Sequence, residues 1–110
     1  MEVVNQSKKT ILATDLKLCN SVLDKFLGLL RKSNPRSLMF KTRLGMHTLL
    51  MKENIDILVL DKSNKVVKIG ESIEPNQFFF WNPKYGLVLE LPEGTIKQTK
   101  TEIGDVLVIS

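Results

Sequence analysis

Hydrophobic positions recur with two different periods along this chain of 110 residues. At the start, Val3-Val4 and Ile11-Leu12-Ala13 flank the polar run Gln6-Ser7-Lys8-Lys9, the pattern of a hairpin. Leu16 and Leu18 then alternate with Asp15 and Lys17, which carries the extended pattern to Cys19. Beyond Cys19 the period lengthens. Val22, Leu23, Phe26, Leu27 and Leu30 fall three and four residues apart, with Asp24, Lys25 and Arg31 on the other side. Asn20 or Ser21 can cap the first turn through a side-chain oxygen. Asn34, preceding Pro35, is pushed out of the α region and ends it. The spacing therefore predicts one amphipathic helix over about residues 21–32, with Gly28 inside it at a cost of roughly 1 kcal/mol relative to Ala.

From Leu38 onward the chain reads as strands. Leu38-Met39-Phe40 is short and apolar, and a longer segment runs from Leu44 to Met51. Ile55 to Leu60 is almost continuously apolar, as in a strand covered on both faces. Asp61-Lys62-Ser63-Asn64 has turn chemistry, and Lys65 to Ile69 returns as the partner strand. Glu74-Pro75-Asn76 interrupts the pattern, Phe78 to Trp81 concentrates the aromatic residues, and Tyr85 to Leu91 is a further strand ended by Pro92. Thr95 to Thr101 has room for one or two helical turns, and Val106 to Ile109 closes the chain as a last strand. Many short strands with tight turns predict a mostly β (α+β) fold: a small curled antiparallel sheet or barrel, the amphipathic helix over one opening, and a short C-terminal helical turn. The length fits a single domain spanning residues 1–110.

Composition changes this picture only at the margins. A hydrophobic share of 43% with 25% charged residues excludes wholesale disorder. Cys19 is the single cysteine, which rules out an internal disulfide framework or a multi-cysteine zinc site and fits a reducing compartment. Apolar runs such as Ile57 to Leu60 are four residues long, against the about 20 that a membrane-spanning helix needs. Met1 to Gln6 has no basic start followed by an apolar stretch, so it does not read as a signal peptide. The expectation is a soluble, cytoplasmic protein with no membrane partner.

Charge is spread unevenly. Residues 1–52 carry ten Lys/Arg against three Asp/Glu, and residues 53–110 carry six against nine, so a half of net +7 is joined to one of net −3. A basic half can steer toward phosphate-rich partners, and Arg31, Lys32, Arg36, Lys41 and Arg43 are the nucleic-acid candidates. The simpler reading is a solvated lysine-rich surface, and nucleic acid is not the favoured partner.

Five segments in order resemble a known family, the domain of unknown function numbered 192. They are Gly28-Leu29-Leu30, with leucine for the family's methionine; Leu38-Met39-Phe40; Gly45-Met46-His47-Thr48 followed by Asn54-Ile55-Asp56; Leu89-Glu90-Leu91-Pro92-Glu93-Gly94; and Gly104-Asp105. Asn54 stands where the family has proline, which would loosen the strand entry. The resemblance covers about residues 10–109 and implies a compact β fold, with no activity to carry over. Many bacterial relatives are exported, an address that the N-terminus of this chain does not repeat.

Candidate chemistry is sparse. His47, the one histidine, titrates near neutrality and could serve as acid, base or ligand, or be a half-buried strand residue. Asp56 interrupts an apolar run, so its carboxylate needs donors or a raised pKa; the plainer role is to accept backbone N–H groups of Lys52-Glu53-Asn54 at the strand entry. Glu90 interrupts Val88-Leu89-Leu91 and by strand alternation would face solvent. No glycine-rich phosphate loop, nucleophile elbow or metal-ligand spacing is present, so no cofactor or metal is called for. Phe78 to Trp81 would point to both faces of a strand, either plugging a barrel end or offering rings to a partner. The first expectation is a non-enzymatic module binding a small ligand or a protein through Met46, His47, Thr48, Asp56, Glu90 and Trp81. The alternatives are a small hydrolase-like enzyme using His47 and Asp56, and nucleic-acid binding through the basic half.

Overall fold

A computed structural model of the chain describes residues 1–19, 37–43, 46–47, 53–75 and 77–110. The expected helix over 21–32, and the Gly28-Leu29-Leu30 step within it, lie outside the described residues.

The expected opening hairpin forms. β1 (Val3–Asn5) pairs antiparallel with β2 (Thr10–Ala13), and the C-terminal β10 (Leu107–Ile109) pairs antiparallel with β1 from the other side. The result is a three-stranded sheet in the order β10-β1-β2. A five-stranded sheet in the order β3-β4-β9-β6-β7 is built from β3 (Lys17–Cys19), β4 (Leu38–Lys41), β9 (Leu87–Pro92), β6 (Ile55–Leu60) and β7 (Val66–Ile73). β5 (Met46–His47) and β8 (Phe78–Phe79) form a two-stranded antiparallel pair. The one helix among the described residues, α1 (Thr95–Thr99), lies between β9 and β10.

The mostly β, α+β expectation is correct, with two changes. The described strands form open sheets and no closed barrel. The large sheet is mixed, because β3 and β4 run parallel while its other neighbours are antiparallel. A parallel pair needs a crossover of a dozen residues or more, and residues 20–37 between β3 and β4 are long enough to provide one.

Strand alternation divides the large sheet into two buried faces. On one, Leu58, Leu60, Leu89, Leu91 and Met39 pack with Val3, Leu12, Leu107 and Ile96, so the three-stranded sheet and α1 cover it. On the other, Leu38, Phe40, Ile55, Ile57, Val59 and Val88 pack with Phe79 and Trp81. Both faces of β6 are therefore covered, and all six of its residues are buried. Removing that apolar surface from water at roughly 25 cal/mol per Å² is the main force assembling the layers.

Turn chemistry sets the strand ends. Asp61 Oδ1 accepts the Ser63 and Lys65 N–H groups at 2.8 and 2.9 Å, and Asn64 takes the left-handed region at φ 62° that closes the β6–β7 turn. Gly94 (φ 90°) and Gly104 (φ 97°) sit on either side of α1 in backbone geometry that side chains disfavour. Asn54, in place of proline, donates its side-chain amide to Glu93 Oε2 at 3.0 Å beside the strand entry.

Candidate functional site

The expected polar cluster is not gathered on one surface. In the β6–β9 register Asp56 lies opposite Leu91, and Glu90 lies opposite Ile57 and Leu38. Leu91 belongs to one buried face and Ile57 with Leu38 to the other. Asp56 and Glu90 therefore leave the sheet in opposite directions. The backbone of Met46 and His47 pairs with Phe79 and Phe78, and Phe79 packs on Glu90's face of the sheet. Thr48 lies outside the described residues.

Asp56 is occupied structurally. Its Oδ1 accepts the Ser72 N–H and its Oδ2 the Ile96 N–H, both at 2.9 Å. It accepts backbone N–H groups as its position in an apolar run demands, but from the β7 end and the first turn of α1 rather than from Lys52-Glu53-Asn54. One carboxylate thus ties together three elements that are distant in sequence.

Glu90 corrects a second expectation. It is buried, not solvent-facing, with 4% of its surface exposed. β9 is flanked on both sides and covered on both faces, so alternation moves Glu90 from one core to the other rather than into water. Burial pushes its carboxyl up to about 7, and its Oε2 has no hydrogen-bond partner among the described residues. Trp81 is buried on the same face as Glu90, and its indole N–H donates to the Tyr85 carbonyl at 2.8 Å. Among the described residues, no three His, Cys, Asp or Glu side chains come together to hold a metal ion.

Two arrangements were not foreseen. The first is a polar knot beneath the hairpin. Asp105 accepts from the Asn5 amide at 3.0 Å, from the Glu102 N–H at 2.9 Å and from Lys8 Nζ at 2.9 Å. Burial works to raise the Asp105 pKa, but these donors outweigh it and hold the carboxyl below its usual range. Lys8 is correspondingly raised, chiefly by its hydrogen bond to Asp105. Thr99 and Thr101 share a hydrogen bond of 2.7 Å beside it, and Thr101 accepts from Asn5. Every oxygen is engaged within the fold, so the knot reads as a clasp between the two chain ends.

The second arrangement is open to solvent. At one end of the large sheet β4 exits, β9 enters and β6 turns into β7, with Lys41, Leu87 and Leu60 in register across the three strands. A groove of about 1160 Å³ opens there, lined by Lys41, Thr42, Arg43, the 61–64 turn and residues 84–87. Among the described residues, Lys41, Arg43, Lys62 and Lys84 bring four positive charges to it against the single carboxylate of Asp61. That carboxylate lies below its ordinary pKa through the Lys65 and Ser63 N–H bonds and is turned toward its own backbone. Gly86 lets Arg43 lie against the strand, since a Cβ there would sit 2.9 Å from Arg43 Nε. The Thr42 N–H donates to the Gly86 carbonyl at 2.9 Å and fixes that approach. Lys84 Nζ stands 5.6 Å from the centre of the Tyr85 ring.

Of the basic candidates, Lys41 and Arg43 are in this groove, while Arg31, Lys32 and Arg36 lie outside the described residues. Lys62, Lys84 and Tyr85 were missed. Lys62 was legible as a turn residue, and Asn82-Pro83-Lys84 carries turn chemistry as well. Bringing the two turns to one end of the sheet requires the β6–β9 pairing, which no local pattern announces.

The fold and the groove define a small layered β protein with an open, basic surface at one sheet end. The chain belongs to the family of domain of unknown function 192, described as "Uncharacterized ACR", whose model matches residues 3–109. It is similar to the UPF0127 protein PH1112 of Pyrococcus horikoshii, with 28% identity over 94% of each chain. It is similar as well to the UPF0127 protein PF1050 of Pyrococcus furiosus, with 26% identity over 96% of this chain and 95% of that one. A Novosphingobium aromaticivorans protein of unknown function has the same fold, with TM-score 0.79 and 15% identity over 98% of this chain and 82% of that one. So does a Sinorhizobium meliloti protein named as a "putative transcription regulator", with TM-score 0.76 and 19% identity over 97% and 89%. No helix among the described residues is long and apolar enough to cross a membrane.

Proposed function

We propose that the chain is a non-enzymatic binding module for an anionic ligand, received in the groove at the β4–β9–β6 end of the large sheet. The observation that supports this reading is the charge of the groove: among the described residues, four cations from three separate segments against one carboxylate already engaged by backbone N–H groups. Converging lysine and arginine side chains favour phosphate or carboxylate groups, and Arg43, held flat against Gly86, offers a planar fork for a bidentate contact. The hydrolase-like alternative loses its support at Asp56, whose two oxygens are both committed to backbone donors.

Inorganic tripolyphosphate is a suitable probe. Isothermal titration at low salt is expected to show binding that weakens about tenfold or more in the Lys62→Glu, Lys84→Glu double variant. Both residues are outside the cores, so the variant keeps its fold. Undiminished affinity in the double variant would move the ligand surface elsewhere.

A further inference from the structure

The aromatic run does not plug a barrel end. It divides by strand alternation. Phe79 and Trp81 are buried in the core of the large sheet, while Phe78 and Phe80 are 67% and 58% exposed. The two exposed rings stack on one another, 9° from parallel with centroids at 5.6 Å, and this apolar pair forms a platform at the surface. This platform is joined to the basic groove by a short, tied segment. Phe80 is followed by Trp81, whose indole N–H donates to the carbonyl of Tyr85, a groove residue. The Tyr85 N–H in turn donates to the Asn82 carbonyl at 3.0 Å, closing the intervening turn. Lys68 Nζ donates to the Phe80 carbonyl and stands 5.0 Å from the Phe79 ring centre, adding a positive charge to the aromatic segment.

We infer that the ligand is single-stranded nucleic acid, its phosphates in the groove and its bases stacked on Phe78 and Phe80. This deepens, and rests on, the anion-binding reading. A cationic track beside exposed aromatic faces is the combination by which proteins hold single strands without reading their sequence. The cations take the backbone, and rings of any base can stack on a phenyl face. A small anion would leave the platform unused. An acidic protein partner would meet the charges but has no need of a stacked pair of exposed rings. RNA and single-stranded DNA share the chemistry, and the 2′-hydroxyl alone separates them.

Fluorescence anisotropy on the full chain tests the inference, using labelled oligo(U) and oligo(dT) of about 12 nucleotides with tripolyphosphate as a competitor. Phe78→Ala with Phe80→Ala is expected to weaken oligonucleotide binding about tenfold or more while leaving tripolyphosphate affinity unchanged. Phe78→Trp with Phe80→Trp is expected to retain or tighten it. The Lys62→Glu, Lys84→Glu pair is expected to weaken both ligands. Because Phe78 and Phe80 are exposed, an unchanged thermal midpoint verifies the fold of each variant. If tripolyphosphate binds through the groove but the oligonucleotides do not bind, or bind independently of the two phenylalanines, the inference is overturned and the anion site stands. If a duplex binds as tightly as the single strands, stacking is not the mode and the inference is likewise overturned. If charge reversal at Lys62 and Lys84 changes neither ligand, both readings fall. Oligo(U) bound more tightly than oligo(dT) identifies RNA as the source, and the reverse identifies DNA; either ranking supports the inference.

Discussion

At the scale of single residues, the two buried acids of the large sheet have opposite fates. Asp56 meets two backbone N–H donors and holds Ser72 at φ 51°, a left-handed conformation costly for a residue with a Cβ. Glu90 meets none for its Oε2 among the described residues and is pushed up to about 7 by burial. A folded-state pKa above the ordinary value means the folded chain holds its proton while the unfolded chain has released it. The Glu90 contribution is therefore intact below the ordinary carboxyl range and is lost as pH rises toward 7. By linkage the loss is about 3 kcal/mol across that window. Urea unfolding at about pH 5 and about pH 8 is expected to show the wild type losing stability as pH rises. Glu90→Gln, neutral throughout, should flatten that part of the profile; a variant as pH-sensitive as the wild type would show that Glu90 is not the titrating group. Neither fate was legible locally. Both residues simply interrupt apolar runs, and what separates them is which donors the third dimension delivers.

At the scale of elements, local chemistry specified what it reached and nothing beyond. The β1–β2 and β6–β7 hairpins were readable because strand and partner are joined by their own turn, as Asp61 and Asn64 show. α1 was readable from the segment between Pro92 and the last strand, bracketed as it is by Gly94 and Gly104. The β3–β4 parallel pair was not, because its partners are separated by residues 20–37. The Asn5–Asp105 contact was not either, since it spans nearly the whole chain. Gly70 is a further case. In a strand pattern it reads only as a weak position, yet a Cβ there would lie 2.6 Å from Phe79 Cε1 and 3.1 Å from Ile73 Cδ1. The absent side chain is what lets the aromatic segment lie flat on β7. Gly70→Ala should displace Phe79 and cost about 1–3 kcal/mol, read as a lower urea midpoint with an unchanged slope. A neutral substitution would mean the ring has somewhere else to go, and the aromatic segment would be less tightly seated than its burial implies.

At the scale of the whole molecule, the charge imbalance of the sequence resolves into a place. The basic excess of residues 1–52 read most simply as a solvated surface, with an anionic partner as the alternative and no place assigned to it. The structure puts Lys41 and Arg43 beside Lys62 and Lys84, and the last two come from the half of the chain whose net charge is negative. Counting charge by halves therefore hid part of the groove. The polar cluster expected from residues that interrupt apolar runs is taken apart by the pairing of β6 with β9. A field built this way makes a quantitative demand. If four cations engage a single strand, the logarithm of affinity should fall with the logarithm of salt concentration at a slope of about −3, since each neutralised phosphate contributes about −0.7. Lys62→Ala should make that slope shallower by about 0.7, whereas removing Phe78 and Phe80 should lower affinity at every salt concentration and leave the slope alone. The two kinds of substitution thus report separately on charge and on stacking. A slope near zero would mean that the lysines only solvate this end of the sheet, and the groove would lose its claim to an anionic ligand.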